Sequence, residues 1–116
     1  MVEWRRGSVR VIEPLVNLET TLIGGQDVVV VNGEVDLSTA GELQAAIAGF
    51  SSQILTVDLR GVEFIDSAGL AVLMKEHARL RGNGGELRLV VKEKGPVSRI
   101  LELTGVAETF RVSNSL

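Results

Sequence analysis

An Asp-Ser pair at positions 66 and 67, an acidic turn at Glu34-Val35-Asp36 and a single histidine, His77, are the residues with most chemistry to offer in this chain. The pair sits in FIDSAGL, residues 64–70, where two apolar residues lead in and a small residue, a glycine and a leucine lead out. Ser67 can serve there as a helix cap, as a nucleophile, or as a hydroxyl displayed for another protein to modify. The cap is the plainest use, since a side-chain oxygen at a helix start accepts a free backbone N–H and contributes about 1 kcal/mol. A nucleophile elbow needs glycine two residues before the serine, and Ile65 stands there. A catalytic serine also needs an imidazole within hydrogen-bond reach. His77 lies ten residues further along the same helix, about 15 Å away at 1.5 Å per residue. It cannot be the base, and the expectation is a packed or half-exposed side chain on the inner helix face.

Other sites fare no better on their residue types. GNGG at Gly82–Gly85 follows a helix and precedes a strand, the reverse of a phosphate-binding loop, so it reads as a helix stop and a turn. One histidine and no cysteine leave Glu34, Asp36 and Asp66 as the only clustered oxygen ligands, a weak hard-cation set that more often is solvated charge. No cofactor is expected. A helix N-terminus, by contrast, offers free N–H groups and a partial positive charge, so a phosphate on Ser67 would be tolerated locally.

The periodicities show what must position these residues. Leu18–Ile23 and Val28–Val31 read as strands joined by GGQD, a hairpin with Gly24-Gly25 in its turn. The unbroken VVVV suggests a strand buried on both faces. Thr39 and Glu42 match a capping box at the start of a helix from about Thr39 to Phe50, with Leu43, Ala46, Ile47 and Phe50 turned inward. Ile54–Leu59 is a third strand, broken by Arg60-Gly61. From Ala68 the spacing becomes helical through Leu70, Leu73, Met74, His77 and Leu80 or Arg81, and Gly82 can end the run. Glu86–Val91 is a fourth strand, and Pro96 opens a third helix that ends near Thr104-Gly105. A short segment from Val106 to Phe110 closes the domain, with room for a last edge strand behind it.

The order predicts an α/β fold: one domain with a mixed β-sheet of four to five strands, an N-terminal hairpin, and helices packed mainly on one face. Loops at the carboxyl ends of parallel strands form the functional edge of such a sheet. Asp36 and Ser67 both fall there, and they lie close together if their strands are neighbours.

Bulk properties exclude several partners. The 116 residues suffice for one domain that buries roughly two-thirds of its unfolded surface. A net charge of -3 and an aromatic share of 3% argue against nucleic acid, which needs a basic footprint or stacking rings. The chain lacks cysteine, and MVEWRRGSVR has no apolar run behind its positive charges, so it does not read as a secretory signal. No stretch approaches the roughly 20 apolar residues of a membrane span. The expectation is a cytoplasmic protein without membrane insertion.

NGEVDLSTA, then VDLRGVEFIDSAGL, then GGELRLV and RILELTGV form four ordered blocks. Together they resemble the STAS domain of bacterial anti-sigma factor antagonists, from about Asn17 to Val112. The resemblance implies a partner switch. Ser67 matches the residue phosphorylated by an anti-sigma factor that is also a serine-protein kinase. The unphosphorylated protein binds that kinase and frees the sigma factor, the phosphorylated form lets go, and a phosphoserine phosphatase restores it. The resemblance also puts Asp36 beside the serine on a partner-binding surface with Asp66, Ala68, Gly69 and Leu70. Some relatives serve instead as non-phosphorylated subunits of transport or lipid-trafficking assemblies, which is the alternative function. The STAS domain is expected over residues 17–116. Residues 1–16 form an N-terminal extension with Trp4, Arg5, Arg6 and Arg10 around a candidate strand, Val9–Ile12, halted by Pro14. The resemblance does not fix the oligomeric state.

Overall fold

The computed structural model describes Gly7 and residues 9–12, 16–50 and 53–116. Strand β1 spans Val9–Ile12, β2 Val16–Ile23 and β3 Gln26–Val35; helix α1 follows at Ala40–Ala48. Strand β4 (Ile54–Ile65) leads into α2 (Ser67–Gly82), and β5 (Glu86–Val90) into α3 (Pro96–Thr104). A single 3-10 turn at Ala107–Thr109 precedes β6, Arg111–Ser113. Trp4, Arg5, Arg6 and Pro14 lie outside the described residues.

Hydrogen bonding joins the strands into one six-stranded sheet in the order β1-β2-β3-β4-β5-β6. The α/β class and the leading hairpin are as the sequence predicts. The sheet is one strand wider than four to five because both flanking segments pair, β1 antiparallel to β2 and β6 parallel to β5. Gly24 and Gly25 make the β2–β3 turn, with φ of 59° and 81°. Two successive left-handed residues are what a two-residue hairpin loop needs to match the strand twist.

From β3 onward the strands are parallel and stand in chain order. Right-handed crossovers between such neighbours place every intervening helix on the same side of the sheet. The core agrees: Leu43 of α1, Leu73 of α2 and Leu101 of α3 share one buried cluster with Val29, Val57 and Leu89. Burying a side chain of that size contributes about 1.5–3 kcal/mol, so this layer is what holds α1 and α2 at fixed positions over the strand ends. The helix-free face is different in kind. Val28 and Val90 are buried there, each 2% exposed, yet neither belongs to that cluster.

Along α2 two positions depart from the periodicity. Met74 is 39% exposed, whereas Glu76 is buried. Glu76 tolerates burial because Arg79 pairs with it at 3.0 Å. The same guanidinium donates to the carbonyls of Ile47 and Phe50 at 3.4 and 3.2 Å, closing the end of α1. Helix α1 is also shorter than the sequence suggests and stops at Ala48, although Phe50 still packs inward.

Candidate functional site

The carboxyl ends of β3 and β4 come out side by side. Val35 is in register with Ile65, and the Asp66 amide donates to the Val35 carbonyl at 3.2 Å. Paired strands lie about 4.8 Å apart, so Asp36 and Asp66 open two adjacent loops. The expected juxtaposition of Asp36 with the Asp66-Ser67 pair is therefore present.

At the second loop the cap is Asp66, not Ser67. Asp66 has the extended backbone of an N-cap, and its Oδ1 accepts from the amides of Ala68 at 2.9 Å and Gly69 at 3.2 Å. Ser67 already stands inside the helix as its first residue, one position too late to cap it. It is exposed, and its hydroxyl makes no hydrogen bond among the described residues. The adjacent glycine has a packing reason. A Cβ on Gly69 would come within 2.7 Å of Val35 Cγ1 and 2.9 Å of Ile65 Cγ1. The first turn of α2 thus presses directly on the last residues of both strands, and Leu70 drops into the core behind it. Of the sequence-predicted site residues, Ser67 is exposed, Asp66 and Ala68 are half-buried, and Gly69 and Leu70 are buried.

At the first loop Asp36 does the work of a turn. Its Oδ1 accepts from the Ser38 amide at 2.9 Å, the Ser38 hydroxyl at 2.7 Å and the Thr39 amide at 3.2 Å. The hydrogen bond from the Ser38 hydroxyl is the main reason its carboxyl is held below the ordinary value, and partial burial opposes it. The capping box does not form, since Thr39 makes no side-chain cap bond to α1. Its hydroxyl is turned back to the strand end, donating to the Glu34 carbonyl at 2.8 Å and accepting from the Asp36 amide at 2.9 Å. Helix propensity loses here to the need to satisfy two backbone groups where β3 ends.

Two apolar residues missed by sequence reasoning rim this edge. Leu37 is 84% exposed between Asp36 and Ser38 in the first loop, and Phe64 of β4, paired with Glu34, is 47% exposed. The register shifts between Val30 and Asn32 and between Gly33 and Glu34 account for Phe64, because each extra β4 residue resets which face its successors take. The legible signal for Leu37 was a lone large apolar residue inside a polar turn. Glu34, Asp36 and Asp66 make no ion pair among the described residues, so the edge is acidic with an apolar rim.

His77 is far from this chemistry in role as well as place. It is 9% exposed, its Nδ1 accepts the Leu87 amide at 3.1 Å, and its ring lies 5.1 Å from Phe110. Burial pushes its pKa below the usual value, helped by the Arg81 charge and opposed by Glu86. No group of three metal-ligating side chains gathers among the described residues. None of the described helices is long and apolar enough to cross a membrane.

The family model described as Mlab, STAS domain, matches residues 19–113. The chain belongs to the STAS-domain family. Among curated STAS relatives, the anti-sigma-F factor antagonist RsfB of Mycobacterium tuberculosis is 33% identical, over 79% of this chain and 76% of that protein. The anti-sigma-B factor antagonist of Listeria monocytogenes is 29% identical, over 72% of this chain and 75% of that one. The crystal structure of an anti-sigma factor antagonist from Mycobacterium paratuberculosis superposes with a TM-score of 0.81 at 31% identity, covering 90% and 91% of the two chains. All three are named as antagonists of anti-sigma factors.

Proposed function

We propose that this STAS domain is an anti-sigma factor antagonist whose binding is switched off by phosphorylation of Ser67. The observation that carries the proposal is the unengaged, exposed hydroxyl of Ser67 on a helix start whose cap is supplied by its neighbour. A kinase partner with bound Mg-ATP transfers the γ-phosphoryl group to Ser67 Oγ, which gives up its proton as ADP leaves. The product carries about -1.5 to -2 charge at neutral pH. It sits at the positive end of α2, whose dipole tolerates an anion, so the domain need not rearrange to hold it.

The partner meets a different surface. Before modification it packs against a neutral serine at an edge that also exposes Leu37. Afterwards it must desolvate a dianion beside Asp36 and Asp66. A loss of about 3 kcal/mol at that contact would weaken binding about 150-fold, since each 1.4 kcal/mol is tenfold. The proposed partners are an anti-sigma factor with serine-kinase activity and a phosphoserine phosphatase, in the cytoplasm.

The test is to recover partners from the native cell, then incubate the protein with the kinase recovered and Mg-ATP. Intact-mass spectrometry with peptide mapping should find one phosphate, on Ser67. Stoichiometric modification at Ser38, Thr39 or Ser98 would overturn the assignment. Recovery of membrane-transport subunits in place of a kinase would overturn the proposal itself and favour the alternative role.

A further inference from the structure

The helix-free face of the sheet carries a cavity of about 250 Å³ near the amino ends of the parallel strands. Its centre is a cross-strand row: Val28 pairs with Thr56, Thr56 with Arg88, and Arg88 with Arg111. Residues directly paired across neighbouring strands project from the same face, so these four side chains stand in line. Val90, two residues beyond Arg88, and Ile23 complete an apolar floor. The row is about 25–30 Å from Ser67 along the strands, at roughly 3.3 Å per residue, and does not depend on the switch proposed above.

Two features are left over once the fold is accounted for. Thr56 is 6% exposed and lines the cavity, yet its hydroxyl makes no hydrogen bond among the described residues. A buried polar group without a partner calls for an explanation, because nearly all such groups are paired. Arg88 and Arg111 converge on a single carboxylate, with their Nε atoms 2.7 and 3.4 Å from Glu86 Oε2. Their terminal Nη donors have no protein acceptor among the described residues. Among these side chains, two guanidinium groups against one carboxylate leave one positive charge over, and the chain-end residue Leu116 lines the same cavity. Asp58 shares this face but is held by Arg60 through bonds of 2.9 and 3.0 Å, so it does not cancel that surplus.

We infer that this row is a binding site for a short-chain monocarboxylate, with the carboxylate on Arg88, Arg111 and the Thr56 hydroxyl and the alkyl chain on Val28, Val90 and Ile23. One surplus positive charge suits a monoanion. The forked guanidinium donors suit a planar carboxylate, and the apolar floor requires a tail. At about 30 Å³ per water-sized group the cavity holds about eight non-hydrogen atoms, the size of hexanoate.

The experiment titrates the intact protein with sodium hexanoate, following backbone amide shifts by NMR and heat by calorimetry. Saturable one-to-one binding centred on Val28, Thr56 and Arg88 is expected, with 1-hexanol and inorganic phosphate each at least tenfold weaker. Thr56→Val should bind hexanoate about fivefold more weakly while melting at the same or a higher temperature without ligand, because it removes an unpaired hydroxyl and keeps the branched shape. Arg111→Gln, at an exposed position, should weaken binding about tenfold. The inference is overturned if hexanoate fails to saturate, if hexanol or phosphate binds as well as hexanoate, or if Thr56→Val binds like the wild type.

Discussion

The two loops at the strand ends are built from nearly the same letters, Asp36-Leu37-Ser38-Thr39 and Asp66-Ser67-Ala68-Gly69, yet they treat their serines in opposite ways. In both, an aspartate Oδ1 accepts amides two and three residues ahead. In the first loop the serine stands at the second position and its hydroxyl closes onto Asp36 at 2.7 Å. In the second the serine follows the aspartate directly, and its hydroxyl stays free. A one-residue offset separates a serine that serves the fold from one that faces outward. The other hydroxyls in question are engaged as well: Thr39 is 1% exposed, and Ser98 donates to the Lys92 carbonyl at 2.8 Å.

The largest effect should come from the glycines of the two helix starts. Gly69 meets the Val35 and Ile65 side chains, whereas a Cβ on Gly41 would meet nothing within 4 Å. Gly69→Val should therefore destabilise by about 1–3 kcal/mol through overpacking. Gly41→Ala should instead stabilise by about 0.5–1 kcal/mol by reducing the freedom of the unfolded chain. Urea denaturation of the two variants gives both signs at once. A tolerated valine at Gly69 would mean that α2 does not press on the strand ends as described.

Next in size is the binding difference between the two serines. A carboxylate carries less charge than a phosphate, so Ser67→Asp should weaken the complex with the anti-sigma factor about tenfold, or about 1.4 kcal/mol. Ser67→Ala should bind as the wild type does. The readout is calorimetric affinity, with circular dichroism to confirm folding. Equal affinities for wild type and Ser67→Asp would put Ser67 outside the interface.

Much of this was legible in the sequence, and the failures share a cause. Strand and helix order followed from period and turn residues, and the neighbouring positions of Asp36 and Ser67 followed from parallel strands in chain order. Ser67 as phosphoacceptor rests on the family resemblance and the free hydroxyl together, and it awaits the phosphorylation test. The cap of α2 was misassigned because Asp and Ser both cap well and only backbone conformation separates neighbours. The capping box at Thr39 and Glu42 failed because a hydroxyl with two uses went to the strand end. Phe64 was hidden because a bulge changes facing without changing composition. Each miss lies where two local rules compete and tertiary geometry decides.

The caps themselves give a smaller contrast. Asp66→Ala should cost about 1 kcal/mol by freeing the amides of Ala68 and Gly69. Ser67→Ala should change the urea midpoint very little, since that hydroxyl satisfies nothing in the folded state. The order would reverse if Ser67 were the working cap, and the pair of melts distinguishes the two assignments directly.

The smallest expected effect is the one most specific to the first loop, and it depends on pH. Asp36 titrates below its ordinary value in the folded protein, chiefly because its carboxylate accepts the Ser38 hydroxyl. A depressed folded value means that the unfolded chain takes up its proton first as acid is added. The stabilisation is therefore complete above the unfolded value, near 3.9, and is lost as pH falls through the folded one. Asp36→Asn keeps an Oδ1 that can accept from Ser38 and Thr39 but cannot titrate. At pH 6 the wild type should be slightly the more stable of the two, because hydrogen bonds to a charged acceptor are the stronger kind. Between pH 4 and pH 2.5 that margin should shrink and then vanish, while each protein also loses stability through its other carboxylates. Urea midpoints for both proteins across that range isolate the difference. A margin that stays constant with pH would mean that Asp36 acts on the loop through shape alone, and the two aspartates would then differ in what they hold but not in how charge contributes.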